Sequence, residues 1–299
     1  MEIALHLRNP DNKGDLPKVS NHLMDFYDQA FVGKEDLEKK SHSFNRVYVG
    51  DEFCSNRIPS LAEMKHFFSF AEEKNLNITL LTPVLTDEGI AKCSPLFEYL
   101  EKKHPETEVV VNDLGVLFYL KRNYPLFRLS AGRLFNKGFK DPRLSSNEKS
   151  SSISQEADEL LNYSTFDHPD FQEKMAELSV TRLERDLLPY GNDVGEITGS
   201  DFKTSVYFPF GYVTSGRVCW TASFKQKIGE RFVIPVKCPR PCNGMTLELK
   251  HKNFSFPLIQ NGNTIFYLYT SSMLSYLLKR ADHENLRLVY QGFIFGKEC

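Results

Sequence analysis

The feature that most constrains the fold is an alternation of short apolar segments with amphipathic, helix-like segments along the chain. The apolar segments are almost continuous, which is typical of strands that are buried on both faces of a parallel sheet. At least four such strand–helix units in one chain favour a TIM-like β/α barrel over an open sheet, and leave open whether the barrel is complete or distorted. The predicted strands of this α/β fold are Ile3–Leu7, Arg46–Gly50, Ile78–Thr82, Val109–Val111, Leu126–Ser130, Leu178–Leu183, Phe202–Phe208 and Leu286–Tyr290.

The segments between these strands have apolar residues at helical spacing. Ser60 followed by Glu63 has the pattern of a capping box, which marks the start of one helix. The predicted helices span residues 18–30, 61–75, 87–103, 114–122, 171–177 and 272–279.

Two regions depart from this alternation. Residues 137–168 are polar and rich in serine, which predicts a solvated surface loop or lid. Short segments at Met245–Lys250, Phe254–Leu258 and Thr264–Tyr269 are predicted to be antiparallel strands, with Asn261-Gly262 as a turn. The chain is therefore predicted to be a single barrel domain, 1–299, with a polar insert at 137–168, a cysteine loop at 211–243 and a β-rich element at 245–270.

Composition and charge are those of an ordinary globular protein. Hydrophobic residues make up 41% of the 299 residues, and 37 basic against 39 acidic residues leave a net charge of −2. This balance provides no overall attraction to nucleic acid or to an anionic membrane. The first apolar run is interrupted by Arg8, Asp11 and Asp15, unlike a signal peptide, and no run is long enough to span a membrane. We therefore expect a cytoplasmic protein whose thiols are reduced.

The most specific chemical signal is the set of cysteines in and near the segment 211–243. Cys219, Cys238 and Cys242 lie in this glycine- and proline-rich segment, and Cys54 follows a predicted strand far away in the sequence. Four such thiols could bind zinc or an iron–sulfur cluster. The alternative is that they are unconnected cysteines that pack as small apolar side chains. We predict that Cys93 belongs to the core, and that the remaining cysteine, at the C-terminus, is exposed and inert.

Polar side chains follow several of the predicted strands. In a β/α barrel, the loops after the strands form one face, and this face carries the chemistry. An alternative explanation for Asp51 and Asp113 is that they cap helices. The candidate catalytic residues are Asp51, Glu52, Asn112, Asp113, Arg133 and Glu184.

Seven segments spread over most of the chain resemble the collagenase-like peptidase U-32 family. The most similar members are the small single-domain proteins that are needed for oxygen-independent hydroxylation in anaerobic ubiquinone biosynthesis. The matching segments are VYVGDEFCSNR (47–57), VVVNDLGVL (109–117), SVTRLERDLL (179–188), GYVTSGRVC (211–219), CPRPCNG (238–244), LIQNGNTIF (258–266) and LRLVYQG (286–292).

This resemblance implies a TIM-like barrel and a [4Fe–4S] cluster that is bound by four cysteines. Cys54 matches the family's Gly-Glu-x-x-Cys-Ser-Lys-Arg-like segment, with one extra residue before it, and Cys219, Cys238 and Cys242 match the other three ligands. The resemblance also implies a second family member as a heterodimeric partner, an electron donor, and a quinone precursor or a nucleobase as substrate.

Three functional classes are open at this point. The leading hypothesis is an iron–sulfur oxidoreductase, or its accessory subunit, that supports oxygen-independent hydroxylation. The second is a protease, as the family label suggests, although the sequence has no Gly-x-Ser-x-Gly elbow and no zinc-protease histidine spacing. The third is a binding protein in which zinc has only a structural role.

Overall fold

The structure is a computed structural model that describes residues 2–8, 44–141, 154–189, 202–224, 226–233, 238–254, 256–280 and 286–291. The helix predicted at 18–30, residues 142–153 of the polar insert and the residue Cys299 lie outside these ranges.

The described residues form twelve strands and seven α-helices. The strands are β1 Glu2–Leu7, β2 Arg46–Gly50, β3 Asn77–Leu81, β4 Glu108–Val111, β5 Arg128–Ala131, β6 Val180–Arg185, β7 Lys203–Phe208, β8 Phe210–Ser215, β9 Leu247–Leu249, β10 Leu258–Asn261, β11 Thr264–Leu268 and β12 Leu286–Tyr290. The helices are α1 Leu61–Glu73, α2 Asp87–Lys103, α3 Leu114–Asn123, α4 Gln155–Asn162, α5 Pro169–Glu177, α6 Trp220–Ser223 and α7 Ser271–Lys279.

Eight of the strands close into a parallel barrel in the spatial order β1-β2-β3-β4-β5-β6-β7-β12. β1 completes the closure because it pairs in parallel with β2 on one side and with β12 on the other; Ala4 lies opposite Arg46 and Val289. The prediction of a TIM-like β/α barrel is therefore confirmed, and the barrel is complete. Its parallel strands all end at one face, where the loops that follow them meet.

Side chains fill the barrel interior in layers. Towards the N-terminal ends of the strands, Arg287 forms ion pairs with Glu2 and with Glu108, whose Oε2 lies 3.1 Å from Arg287 Nη2. Burial would raise the pKa of Glu108, but the neighbouring Arg287 lowers this pKa to about 2, so the pair stays ionised. Ion pairs therefore close this end of the barrel. The layer above them is the buried apolar cluster of Ala4, Tyr48, Leu81, Val110, Tyr207 and Val289.

The first described helix begins at the predicted capping box. Ser60 Oγ accepts a hydrogen bond from the backbone N–H of Glu63, and the Glu63 carboxylate accepts one from the backbone N–H of Ser60. The helix buries Met64, Phe67 and Phe68 on one face. None of the helices in the described ranges is long and apolar enough to cross a membrane.

The polar insert contains structure that the sequence analysis missed. Residues 155–162 were predicted to belong to a surface loop, but they form α4, which begins where Ser154 Oγ accepts a hydrogen bond from the backbone N–H of Ala157. The prediction failed because the helix is short and largely exposed, as Leu160 illustrates, and because the serine-rich residues before it dominate the composition of the insert.

The antiparallel sheet is inserted between the seventh and eighth barrel strands, and its order is β8-β11-β10-β9. The predicted β-rich element is thus present, but its first strand, Phe210–Ser215, overlaps the start of the segment 211–243 that we predicted to be a cysteine loop. The strand predicted at Phe254–Leu258 is wrong: Phe254, Phe256 and Pro257 are not in a strand, and β10 begins at Leu258. The β10–β11 turn is centred on Gly262 and Asn263, one residue later than predicted, since Gly262 supplies the positive φ of +67°.

The close approach of β8 to β11 generates a test of the insert. Gly211 lies opposite Tyr267, and a Cβ at Gly211 would lie 2.2 Å from the Tyr267 ring. The buried ring cannot move aside easily, because the Tyr267 hydroxyl donates a hydrogen bond to the Leu187 carbonyl. We expect Gly211→Ala to lower the free energy of unfolding by about 1–3 kcal/mol in urea titrations. The matched control is Gly216→Ala, where a Cβ would have no neighbour within 4 Å; equal unfolding midpoints for the two variants would contradict this packing.

Candidate metal centre

A pocket of about 720 Å³ lies between the inserted sheet and the loops that follow β2 and β3. The loop after β2 contributes Cys54, and the segment between β8 and β9 contributes Cys219, Cys238 and Cys242; all four cysteines line the pocket. Cys242 is close enough to Cys54 and to Cys219 for their charges to interact. The four cysteines that the sequence analysis selected therefore line one pocket.

Backbone N–H groups point at the first two of these sulfurs. The N–H of Asn56 forms a hydrogen bond with the Cys54 thiol, and the N–H of Ala222 donates to Cys219 Sγ at 3.4 Å. Cys219 is the residue that precedes α6, so its sulfur occupies the position of an N-cap side chain. Donors placed in this way stabilise a thiolate more than a thiol.

The other two sulfurs have donors as well. The backbone N–H of Arg240 donates to Cys238 Sγ at 3.4 Å, and the buried guanidinium of Arg57 donates to Cys242 Sγ at 2.9 Å. The second contact is charge-assisted and joins residues that are 185 positions apart in the chain. Each of the four sulfurs therefore faces an N–H donor.

Burial works against ionisation of the free thiols. It raises the pKa of Cys54 to about 12, with a further contribution from the Asp51 carboxylate, and it also raises the pKa of Cys219. Without a metal these two thiols are protonated at neutral pH, so metal binding has to release their protons.

Among the residues that the structure describes, no group of three His, Cys, Asp or Glu side chains lies in an arrangement that could hold a metal ion.

Asp51 organises the loop that carries Cys54. Its Oδ1 accepts hydrogen bonds from the backbone N–H groups of Phe53 and Cys54, and its Oδ2 lies 3.0 Å from Arg8 Nη2 and 3.4 Å from Arg57 Nη1. Burial alone would raise the pKa of Asp51, but the two guanidinium groups lower it overall. Asp51 lines the pocket, and its carboxylate is used to shape the loop.

Further contacts join the barrel loop to the inserted segment. Arg240 Nε donates to the Asn56 carbonyl at 2.7 Å, and Arg240 Nη1 lies 3.0 Å from Glu63 Oε1. Asn263 Nδ2 donates to the Phe53 carbonyl at 2.7 Å. The sequence analysis did not select Arg8, Arg57 or Arg240 as site residues. Arg240 lies between Cys238 and Cys242, and this position is the sequence signal that could have identified it.

Glu52 and Arg133 meet below the pocket and do not line it. Both are fully buried: Arg133 Nε is 3.0 Å from Glu52 Oε2, and Arg133 Nη1 is 2.8 Å from Asp186 Oδ1. Lys140 completes the network at 3.1 Å from Asp186 Oδ2, and the guanidinium carbon of Arg133 lies 3.7 Å from the Tyr207 ring centroid. The guanidinium of Arg133 is therefore fully engaged in structural contacts. The charged side chains that follow β2, β5 and β6 therefore converge, as we expected from a parallel β/α barrel.

Asn112 and Asp113 have contacts that support the backbone. Asn112 Nδ2 donates to the Thr82 carbonyl, and its Oδ1 accepts from the backbone N–H of Leu134. Asp113 caps α3 by accepting from the backbone N–H of Val116 at 2.8 Å, and it also accepts from the N–H of Leu85 at 3.2 Å. The contacts of Asp113 are therefore those of a helix cap, which is the alternative explanation that the sequence analysis gave for this residue.

Glu184 points into the barrel interior and does not line the pocket. Its Oε1 accepts a hydrogen bond from the Tyr48 hydroxyl at 3.2 Å. Complete burial raises the pKa of Glu184 to about 7, although Arg287 opposes this shift. Glu184 is thus a buried carboxyl group that changes its charge near neutral pH.

Cys93 belongs to the core, as predicted. It lies on α2 among the buried apolar residues, and burial raises its pKa to about 11. One side of Cys93 also borders the pocket, which makes it a suitable control for the other four cysteines.

Comparisons with known proteins leave the family unassigned. No protein-family model matches this sequence. No curated protein matches it significantly either.

The contacts of Asp113 predict that this residue stabilises the fold as a helix cap. Asp113→Ala is expected to lower the free energy of unfolding by about 1 kcal/mol or somewhat more, because the N–H groups of Val116 and Leu85 lose their acceptor. Asp113→Asn keeps one acceptor oxygen and is expected to cost less. Urea unfolding measures both variants, and an alanine variant as stable as the wild type would contradict the capping role.

The raised pKa of Glu184 generates a pH test. The folded-state pKa of about 7 exceeds the ordinary value of 4.5. The protonated carboxyl therefore favours folding below pH 4.5, and this contribution is lost as the pH rises through 7. Compared with the wild type, Glu184→Gln should gain about 1–3 kcal/mol in unfolding free energy between pH 5 and pH 8.5. Glu98→Gln, at an exposed position, is the control; a pH-independent difference for Glu184→Gln would contradict this assignment.

Proposed function

We propose that this protein binds one [4Fe–4S] cluster through Cys54, Cys219, Cys238 and Cys242, and that it supports oxygen-independent hydroxylation as an oxidoreductase or its accessory subunit. The observation that carries the proposal is the convergence of the four thiols on one pocket, each with an N–H donor at its sulfur. Four thiolates are the usual ligand set of such a cluster, and N–H donors at the sulfurs are typical of its surroundings.

The chain's own residues supply the surroundings that this cofactor needs. A cluster transfers electrons, while the protein controls its charge, its hydrogen bonds and its exposure to solvent. Here Asp51 fixes the backbone at Cys54, and Arg57 and Arg240 join the barrel loop to the segment that carries the other cysteines. These contacts hold the two cysteine-bearing segments against each other at the pocket, and a bound cluster would have to draw their sulfurs into one ligand set.

The pocket also has room for a substrate. Its volume of about 720 Å³ lies within the range of small-molecule sites. Apolar side chains, among them Val84, Leu85 and Leu134, share its wall with the exposed guanidinium of Arg217. This lining suits a flat ring with polar substituents, which is a feature that quinone precursors and nucleobases share. By the resemblance, the protein would work with a second family member and an electron donor in the cytoplasm.

Structural zinc is the second candidate. The same four-cysteine set favours it, because zinc is commonly held by four thiolates. The two candidates differ in the metal content of the purified protein: the cluster requires iron and sulfide, and the structural site requires zinc. The pocket lining supplies no observation in favour of a protease.

The proposal is tested by preparing the protein without oxygen. We expect stoichiometric iron and sulfide with the absorbance of an iron–sulfur cluster, and a reduced state visible by paramagnetic resonance. Serine in place of Cys54, Cys219, Cys238 or Cys242 should abolish or strongly reduce the iron content, because each removes a ligand. Cys93→Ser is the matched control and should retain the cluster, since Cys93 is a core residue at the edge of the same pocket.

Three outcomes would contradict the proposal. Stoichiometric zinc without iron or sulfide would support the structural-zinc candidate instead. Loss of the cluster in Cys93→Ser, or in Cys299→Ser, would show that the ligand set is different. Retention of the full cluster in any of the four ligand variants would have the same consequence.

A further inference from the structure

We propose that Arg57 is a positioning residue that raises the reduction potential of the cluster through its contact with Cys242. This inference rests on the proposed function, and it assigns a role to a residue that is not a ligand. The geometry points to Arg57 because its guanidinium is the charged donor that contacts a cysteine sulfur in the described part of the chain.

The contact is short and well defined. Arg57 Nη2 lies 2.9 Å from Cys242 Sγ and 2.9 Å from Asn243 Oδ1, whereas the backbone donors at Cys219 and Cys238 are 3.4 Å from their sulfurs. Arg57 is only 8% exposed, so water screens its charge little. A charged donor at a short distance makes this the strongest of the hydrogen bonds to the four sulfurs.

Asp51 holds the guanidinium in this position. Its Oδ2 is 3.4 Å from Arg57 Nη1 and 3.0 Å from Arg8 Nη2, while its Oδ1 is fixed by two backbone N–H groups. Two guanidinium groups thus share one carboxylate, which leaves one net positive charge beside the thiols. The charges of both Arg8 and Arg57 act on Cys54 and Cys242.

The expected effect on the potential follows from electrostatics. Reduction adds one negative charge to the cluster and its thiolates. A positive charge and an N–H donor at Cys242 Sγ stabilise the reduced form more than the oxidised form, and this raises the reduction potential. Removing the guanidinium should therefore make the cluster harder to reduce. Lysine at position 57 would keep the charge but not the planar fork that reaches Asp51, Cys242 and Asn243 together.

The test is a redox titration of Arg57→Gln, Arg57→Lys and wild-type protein, prepared without oxygen and monitored by absorbance and paramagnetic resonance. At a fixed potential, Arg57→Gln should lower the ratio of reduced to oxidised cluster about tenfold, which corresponds to ~59 mV for one electron. Arg57→Lys should lie between this variant and the wild type. The matched control is Arg128→Gln, which removes an exposed arginine at the start of β5, at the opposite end of the barrel; its potential should be unchanged.

Each outcome decides between the two proposals. Wild-type protein without iron and sulfide overturns the proposed function and, with it, the role of Arg57. A cluster whose potential is the same in Arg57→Gln and Arg128→Gln overturns the role of Arg57 alone. If both Arg57 variants fail to hold a cluster that Arg128→Gln retains, Arg57 is required for assembly of the site, and the tuning role is overturned.

Discussion

The buried ion pairs of Arg133 are the interaction on which the pocket-bearing end of this barrel depends. A guanidinium with no exposure to solvent is tolerated only if charged partners and hydrogen-bond acceptors surround it. Glu52 and Asp186 supply these partners, and Tyr212 of the inserted sheet donates a hydrogen bond to the Arg133 carbonyl. One residue thus joins the loop after β2, the ends of β5 and β6, and the insert. Removal of Arg133 would leave two buried carboxylates without their main counter-charge.

The same network fixes the first of the four thiols. Glu52 and Asp51 are neighbours in the chain, and they are held from opposite sides. Arg133 binds Glu52 from within the barrel, while Arg8 and Arg57 bind Asp51 from the pocket. Their backbone has little freedom between these anchors, and Cys54 follows two residues after Glu52. A rigid scaffold below a ligand-bearing loop is what a metal site of defined geometry requires.

The position of the inserted sheet explains how the cysteines meet. The chain leaves the barrel after β7, forms β8 and the cysteine-bearing segment, and returns through β9, β10, β11 and α7 to the last barrel strand. The insert therefore starts at the face where all barrel loops converge. Hydrogen bonds from Arg240 to the Asn56 carbonyl and from Asn263 to the Phe53 carbonyl hold it against the loop after β2. Burial in this joint raises the pKa of the Cys54 thiol, so a metal bound there would have to displace its proton.

The sequence by itself determined the barrel strands and most of the helices, and it selected the four cysteines that line the pocket. Strands that are buried on both faces are almost continuously apolar, and this pattern is visible in the sequences of Arg46–Gly50 and Leu286–Tyr290. It did not reveal β8, because the glycines and cysteines around this strand led us to interpret the whole segment as a loop, or α4, because this short, exposed helix follows a serine-rich stretch. Only the tertiary structure decided which polar residues face the pocket: closure of the barrel turned Arg133 and Glu184 into buried groups and left Asp113 as a helix cap. It also brought Arg57 to Cys242, since a contact between residues 185 positions apart follows from the placement of the insert and leaves no local signal in the sequence.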